Sequence, residues 1–386
     1  MDTIAVSTAL SDSAAAGIAI AEQIDAAFAQ PPHVIIVFAA PTYDHRLVLQ
    51  ALRDAAPDAL IVGASSAGEF TREAAGEGLV TALALRDDES KFTAQTGLGL
   101  KADPAAAARQ IAAGFAGRSH HSFAYRSALV LTDALAGYAD ALTDALTLET
   151  AGEYQFFGGG AGDNATFERT TVFCGTQVLS DAAVALEILS NKPLGIGVSH
   201  GWAPASKPFR VTEADGLRLV SLNGLPAVEA FEEHAVATAQ HIDRAAPIPF
   251  FLQNIIGIDT GRGFRLRVPL AVNPDGSVDC AAEVPVGSIV RIMKSSDASA
   301  AEAAQRATDA AIAAIGSRQP KAALFFDCVA TRLRCGDRFQ AEVDAVASRI
   351  GDAAMAGCNT HGQIARAEGQ FEGFHNCTAV VCVFPD

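Results

Sequence analysis

The feature that most constrains this chain is a stretch that occurs twice. Residues 357–384 read GCNTHGQIARAEGQFEGFHNCTAVVCVF, and residues 63–85 read GASSAGEFTREAAGEGLVTALAL. In both, a second glycine follows the first by five positions and is followed by Glu69 or Gln363. A glycine-rich turn and an apolar strand come next. Residues 157–188 form a looser third copy, with Gly162-Asp163 in the matching place and a strand at 169–174. Each copy is preceded by an apolar strand, at 33–38, 127–131 and 322–326, and then by a helical stretch. The pattern predicts strand, helix, strand, glycine turn, strand, three times over. Such units cannot bury their apolar faces alone, so an internal repeat constrains the architecture more than local propensity does.

Helices are predicted at 12–30, 46–56, 104–117, 138–150, 226–234, 296–315 and 338–350. Pro31-Pro32 ends the first, and Ser296-Asp297 caps the sixth. The run at 33–39 is apolar without interruption, as in a strand covered on both faces. Residues 79–86 and 91–100 resemble an antiparallel pair joined by 87–90, and 209–222 a hairpin around Ala214-Asp215-Gly216. The expected fold class is α/β with mixed sheets: two α/β halves, 1–225 and 226–386, built from degenerate strand-helix-strand-hairpin repeats.

Half of the 386 residues are hydrophobic, enough for a large core. The 28 Lys and Arg against 44 Asp and Glu give a net charge of −16, which disfavours nucleic acid. The seven cysteines are scattered, with no C-x-x-C, as in a reducing compartment. Residues 1–30 carry Asp2, Asp12, Glu22 and Asp25 and no basic residue, unlike a signal peptide. No apolar run reaches membrane-spanning length. A cytoplasmic protein with no membrane partner is expected.

Polar groups gathered at strand ends are where α/β folds build sites. Ser65, Ser66, Glu69, Asp163, Asn164, Asn359, His361 and Gln363 adjoin the repeat turns, and with His200, Trp202 and Arg332 they are the candidate ligand-binding residues. An arginine grips a carboxylate with two parallel hydrogen bonds, and Glu69 or Asp163 holds an ammonium. The simplest reading of Gly68, Gly162 and Gly362 is three tight turns. Residues 64–68, ASSAG, approach a nucleophile elbow, but a strand follows where that motif needs a helix. Cys328 lies four residues before Arg332, and with His361 or His375 it forms a conceivable Cys–His pair. His120-His121 reads as a surface loop. Phosphate-loop and zinc-ligand spacings are missing.

These pieces resemble the FIST family, a sensory module with a FIST N-terminal domain and a FIST C-domain. The resemblance is carried by GASSAGEF, GGGAGDN, GIGVSHGW, residues 223–227 (NGLPA), Cys328 with Arg332, GCNTHGQI and His375-Asn376. The chain departs at Gln363, where glutamate is usual, and at Ala330, where glycine is common. The resemblance implies intracellular signal transduction, with amino acids or related metabolites as ligands. It also implies an alternative, a haem-binding nitric-oxide sensor acting on a histidine kinase, for which His200 is the best-placed axial ligand. A cofactor-independent hydrolase or lyase using Cys328 or Ser66 is a third reading. The leading expectation is a small-ligand sensor with no cofactor, signalling to a separate partner.

Overall fold

The computed structural model describes residues 1–120, 122–367 and 373–386. His121 and residues 368–372 of the C-terminal repeat lie outside the described residues. The first copy comprises β1 (Asp2–Thr8), α1 (Ser13–Ala27), β2 (Val34–Ala39), α2 (His45–Ala55), β3 (Leu60–Ser65), β4 (Glu69–Thr71), β5 (Ala75–Gly76) and β6 (Val80–Arg86). The second comprises β7 (Lys91–Leu98), α3 (Pro104–Ala113), β8 (Tyr125–Thr132), α4 (Ala139–Glu149), β9 (Gln155–Gly160), β10 (Val172–Cys174), β11 (Gln177–Leu179) and β12 (Ala182–Ser190). The third opens with β13 (Gly195–Ser199) and is interrupted over 203–294 by nine short strands, β14 to β22, with α5 (Ala227–Ala237) and α6 (Ile248–Phe251). It resumes with α7 (Asp297–Ala314), β23 (Pro320–Cys328), α8 (Val329–Cys335), α9 (Gln340–Arg349), β24 (Ala354–Thr360), β25 (Gln363–Arg366), β26 (Gly373–His375) and β27 (Ala379–Pro385). Side-chain caps start four of the helices. Asp12, Asp44 and Asp103 accept from the amides of Ala15, Arg46 and Ala106, and Ser296 and Ser299 form a capping box.

The three copies each organise a six-stranded mixed sheet, in the orders β1-β6-β2-β3-β10-β11, β7-β12-β8-β9-β25-β26 and β13-β27-β23-β24-β4-β5. In each, one central pair is parallel and joined through a helical segment (β2/β3, β8/β9, β23/β24), and the other neighbours are antiparallel. The last two strands of each sheet come from another copy. Beyond its turn, copy one pairs β4 with β24, copy two pairs β10 with β3, and copy three pairs β25 with β9. The exchange is cyclic, and the turns close a ring. Ala67 donates its amide to the Asn359 carbonyl, Gly162 to Ser65 and His361 to Gly160, at 2.9, 2.8 and 3.0 Å.

Alternation along the central strands explains their unbroken apolar character. Val34, Ile36 and Phe38 face a core shared by all three sheets with Leu129, Leu131, Leu324 and Phe326. Ile35, Val37 and Ala39 face α1 and α2. The same division holds for Ala128 and Val130 under α3 and α4, and for Ala323 and Phe325 under α7 and α9. Phe38 meets Phe326 edge-on, with centroids 5.7 Å apart, and so joins copies one and three at the centre. The inserted segment has its own core around Phe231, Phe250 and Phe251. Position 225/226 falls inside this insert.

Two expectations need correction. Residues 79–86 and 91–100 do not pair: β6 lies between β1 and β2, and β7 on the edge beside β12. Both strands alternate, but the link at 87–90 joins two copies rather than turning a hairpin. Gly162 is also not the counterpart of Gly68 and Gly362, which have φ of 121° and 124°. By the ring of hydrogen bonds it matches Ala67 and His361, and Asp163–Thr170 are an insertion before the next strand. Thr171, whose carbonyl accepts from Ser65 as that of Gly68 accepts from Asn359, takes the glycine's place.

A side chain at Gly362 must adopt that φ, and its Cβ would lie 2.0 Å from the Phe374 ring. Gly362→Ala is therefore expected to destabilise the protein by roughly 2–4 kcal/mol, combining left-handed strain with overpacking. Urea unfolding against Gly78→Ala, whose positive φ faces open space, separates the two effects: equal losses would mean that packing against Phe374 contributes nothing.

Candidate functional site

The polar side chains of the turns fall into two groups, and the first fastens the fold. Ser66 Oγ donates to Glu69 Oε1 at 2.6 Å, and Glu69 Oε2 accepts from the Leu79 amide at 2.9 Å, just before β6. Copy three repeats this with an amide. Gln363 Nε2 donates to Thr360 Oγ1 at 2.8 Å, and Oε1 accepts from the Thr378 amide at 3.3 Å, just before β27. In copy two the equivalent position is Val172, and Asp133 accepts from the Asp181 amide at 2.6 Å before β12. Burial pushes the Glu69 carboxyl up to about 7, against the pull of Ser66, the Leu79 and Gly68 amides and Arg332. Below that pH a neutral acid stands where the third copy has a neutral amide. Ser65 is similarly occupied, its Oγ accepting from the Thr171 amide at 3.0 Å.

The second group faces a cavity of about 510 Å³. It lies beyond the C-terminal ends of β8 and β23 and is roofed by the inserted sheet, the side on which open α/β sheets place ligands. Leu135, Val268, Leu270, Ala282 and Phe374 make much of the wall, and the polar groups are few: Asp140, Glu283, Cys328, His361 and Asn376 among them. Tyr138, on the rim, is a non-glycine residue at φ 59°, fixed at the start of α4.

Roof and floor are joined by a buried ion pair. Arg267, 1% exposed, donates Nη2 to Asp140 Oδ2 at 2.6 Å, Nη1 to the Leu266 and Phe374 carbonyls and Nε to that of Glu283. Burial draws its pKa down and Asp140 counters. Asp140 Oδ1 also accepts from the Phe374 amide at 2.9 Å.

His361 is the buried imidazole in the wall. Its ring stacks on Phe167 with centroids 4.9 Å apart, and Nε2 lies 3.3 Å from Asp163 Oδ1. Burial holds its pKa below the ordinary value, so the ring is neutral at pH 7. Neither ring nitrogen has a hydrogen-bond partner, the Asp163 approach included. Asp163 is itself fixed by the amides of Phe167, Glu168 and Arg169 at 3.1, 2.7 and 3.0 Å. Burial raises its pKa, but the Arg169 amide, His361 and the other two amides outweigh this and hold it low. Cys328, the N-cap of α8, packs with Cys377 in one buried cluster.

Comparison with known proteins fixes the family. The FIST N domain is matched over residues 33–225 and the FIST C domain over 227–366. The chain belongs to the FIST family. FIST domains are associated with signal-transduction sensing. Curated relatives include an uncharacterized protein of Mycobacterium tuberculosis H37Rv, 23% identical over 56% of this chain and 57% of its own length. Another, from Mycobacterium bovis, is 26% identical over 56% and 57%. The FIST chain thus spans a little over half the length of these relatives. Among solved structures, a cyanuric acid hydrolase from A. caulinodans aligns over 99% of both chains at 10% identity and a TM-score of 0.31.

Of the sequence candidates in this FIST protein, His361 and Cys328 line the cavity, and Asp163 stands behind His361. Arg332 and Asn359 pack instead against Gly68, where a Cβ would meet Asn359 Oδ1 at 2.7 Å and Arg332 Nε at 3.0 Å. Arg332 Nη1 pairs with Glu77, whereas its Nε and Nη2 and both amide atoms of Asn359 are buried without hydrogen-bond partners. Asn164 adopts φ 56° in the copy-two insertion, and its Oδ1 likewise has no partner. His200 does not fit a haem: its Nε2 is 3.0 Å from the Phe264 carbonyl oxygen, and its Nδ1 accepts from the Trp202 amide at 3.3 Å. Both ring nitrogens are engaged, leaving none for iron. Trp202 packs behind Cys328 beneath the Arg334 guanidinium, 5.5 Å away.

Asp140, Phe167, Arg267, Phe374 and Cys377 are not among the sequence candidates, and Asn376 enters there only as a mark of the family resemblance. Asn376-Cys377 lay within the repeat, and its polar-then-thiol step before an apolar strand was a usable signal. Arg267 carried none, since a lone arginine in a strand reads as exposed.

Proposed function

We propose that this FIST protein is a small-ligand sensor whose ligand occupies the cavity between copies two and three and the inserted sheet. The observation that carries the reading is a mostly apolar cavity at the strand ends with one buried neutral imidazole, His361, whose ring nitrogens have no hydrogen-bond partner. A polar amino acid needs groups for both its ammonium and its carboxylate. Arg332 and Glu69 are not in the wall, and of the charged residues that are, Asp140 is taken up by Arg267 and the Phe374 amide, while Lys101 and Glu283 are exposed. The lining favours instead a ligand with an apolar body and one hydrogen-bonding group placed at His361. The walls belong to two copies and the insert, so occupancy bears on how these parts sit together, and a separate protein such as a histidine kinase reads the change.

Native mass spectrometry of the purified protein, followed by identification of the released ligand, is the direct test. His361→Ala is expected to weaken binding by roughly 1–2 kcal/mol, about tenfold in Kd. Ala282→Trp, which fills the cavity, is expected to abolish it. Binding that survives Ala282→Trp unchanged places the ligand elsewhere and sinks the reading.

A further inference from the structure

We propose that Cys328 is a peroxide-reactive thiol with Cys377 as its resolving partner, and that the cavity presents an organic hydroperoxide to it. The proposal rests on the cavity being the ligand site and adds covalent chemistry to that reading. The seven cysteines of this chain are free thiols. Cys280 and Cys328 line the cavity, and their surroundings differ. The Cys280 thiol donates to the Val278 carbonyl at 3.9 Å, and burial pushes it up to about 12, which keeps it protonated and inert. Cys328 instead packs with Cys377 in one buried cluster, and the Cys377 thiol, with the Cys377 and Ala330 amides, draws its pKa down against burial.

Cys377 is set for the second role. It sits at φ 48°, an unusual angle for a residue with a side chain, in the turn between β26 and β27. That turn packs it with Cys328 in one buried cluster. Its hydrogen bond to Cys328 and its burial raise its own pKa, so it retains its proton until Cys328 has reacted. Asp327, next to Cys328, opposes the thiolate, but burial raises the pKa of its carboxyl and limits its negative charge.

The chemistry balances. The Cys328 thiolate attacks the outer oxygen of the hydroperoxide, an S–O bond forms and the O–O bond breaks. The alkoxide released takes up the proton that Cys328 had given up. Cys328 is oxidised to a sulfenic acid, and the hydroperoxide is reduced to an alcohol. The Cys377 sulfur then displaces hydroxide from Cys328, an S–S bond forms, and the thiol proton leaves with the hydroxide as water. The apolar wall favours an alkyl or aryl hydroperoxide over hydrogen peroxide, with the peroxide end at the His361 side.

The test uses the full chain, reduced and then exposed to limiting cumene hydroperoxide or hydrogen peroxide, with free-thiol titration and peptide mass mapping. Loss of two thiols and recovery of a Cys328–Cys377 cross-linked peptide are expected, faster with cumene hydroperoxide. Cys377→Ser should stop at a sulfenic acid on Cys328 that dimedone traps. Cys328→Ser should lose the reaction, and Cys174→Ser should keep it. Oxidation of other cysteines with Cys328 intact overturns the proposal, as does an unchanged rate in the cavity-filling Ala282→Trp. Ligand binding measured on the same preparations separates the two readings: binding with an unreactive Cys328 refutes the thiol chemistry and leaves the sensor reading standing.

Discussion

Glu69→Gln should make this protein more stable at pH 8, by about 3 kcal/mol. The carboxyl is fully buried, with a pKa of about 7 against 4.5 for an ordinary glutamate, and 1.36 kcal/mol per unit gives the figure. The sign follows from proton counting. Between 4.5 and about 7 the folded state holds a proton that the unfolded state has lost. The stabilising contribution is therefore fully present below 4.5 and is lost as pH rises to about 7. Glutamine carries no such titration, and the third copy shows that it can make both connections, to Thr360 and to the Thr378 amide. Urea unfolding of wild type and variant at pH 5 and 8 tests this: the advantage should be large at 8 and small at 5. A variant less stable than wild type at both values would mean that the carboxylate is charged in the folded protein and needed as such.

Asp140→Ala should be among the most damaging single changes away from the central core. It leaves Arg267, 1% exposed, with three carbonyls and no counter-charge. Removing one member of a buried pair costs about 3–5 kcal/mol. Arg267→Met should cost less than Asp140→Ala, since Asp140 is partly exposed and an apolar side chain does not strand a charge. The order of the two variants in denaturant midpoint is the check, and the reverse order would show that the guanidinium's carbonyl contacts, rather than its charge balance, hold the roof to the floor. Because Phe374 and the inserted sheet share this node, Asp140→Ala is also expected to weaken ligand retention in the cavity.

The apolar runs of β2, β8 and β23 were legible because each strand is covered on two faces, and two layers of helix and core leave no polar position. The strand-helix-strand units followed from spacing alone. What spacing does not encode is which strand lies beside which. Alternation in β6 and β7 tells which side chains are buried, not which edge they pair with, and so a link between copies looked like a hairpin. Gly162 misled for a related reason: copy two carries several adjacent glycines, and the insertion after position 162 is invisible without the ring of hydrogen bonds. The polar turn residues were found, but two kinds of burial look alike in a sequence. Glu69 and Gln363 are inside because they tie strands down, and His361 because it faces a cavity. The cavity wall is drawn largely from residues such as Val268, Leu270 and Ala282, which are chemically the same as core residues.

The cyclic exchange of strands has a consequence for how the chain is made. β4 begins four residues after the end of β3 and folds back on the neighbouring β5, but its other edge is filled only by β24, nearly 300 positions later. Pairing at such separation carries the entropy of closing a very long loop before any contact compensates. During synthesis one edge of the β4–β5 pair therefore stays open until the last copy has emerged. The polypeptide does not accumulate as finished thirds. It locks when the final copy supplies β24 to β4 and lays β25 on β9, which makes the C-terminal segment the step on which the other two copies depend.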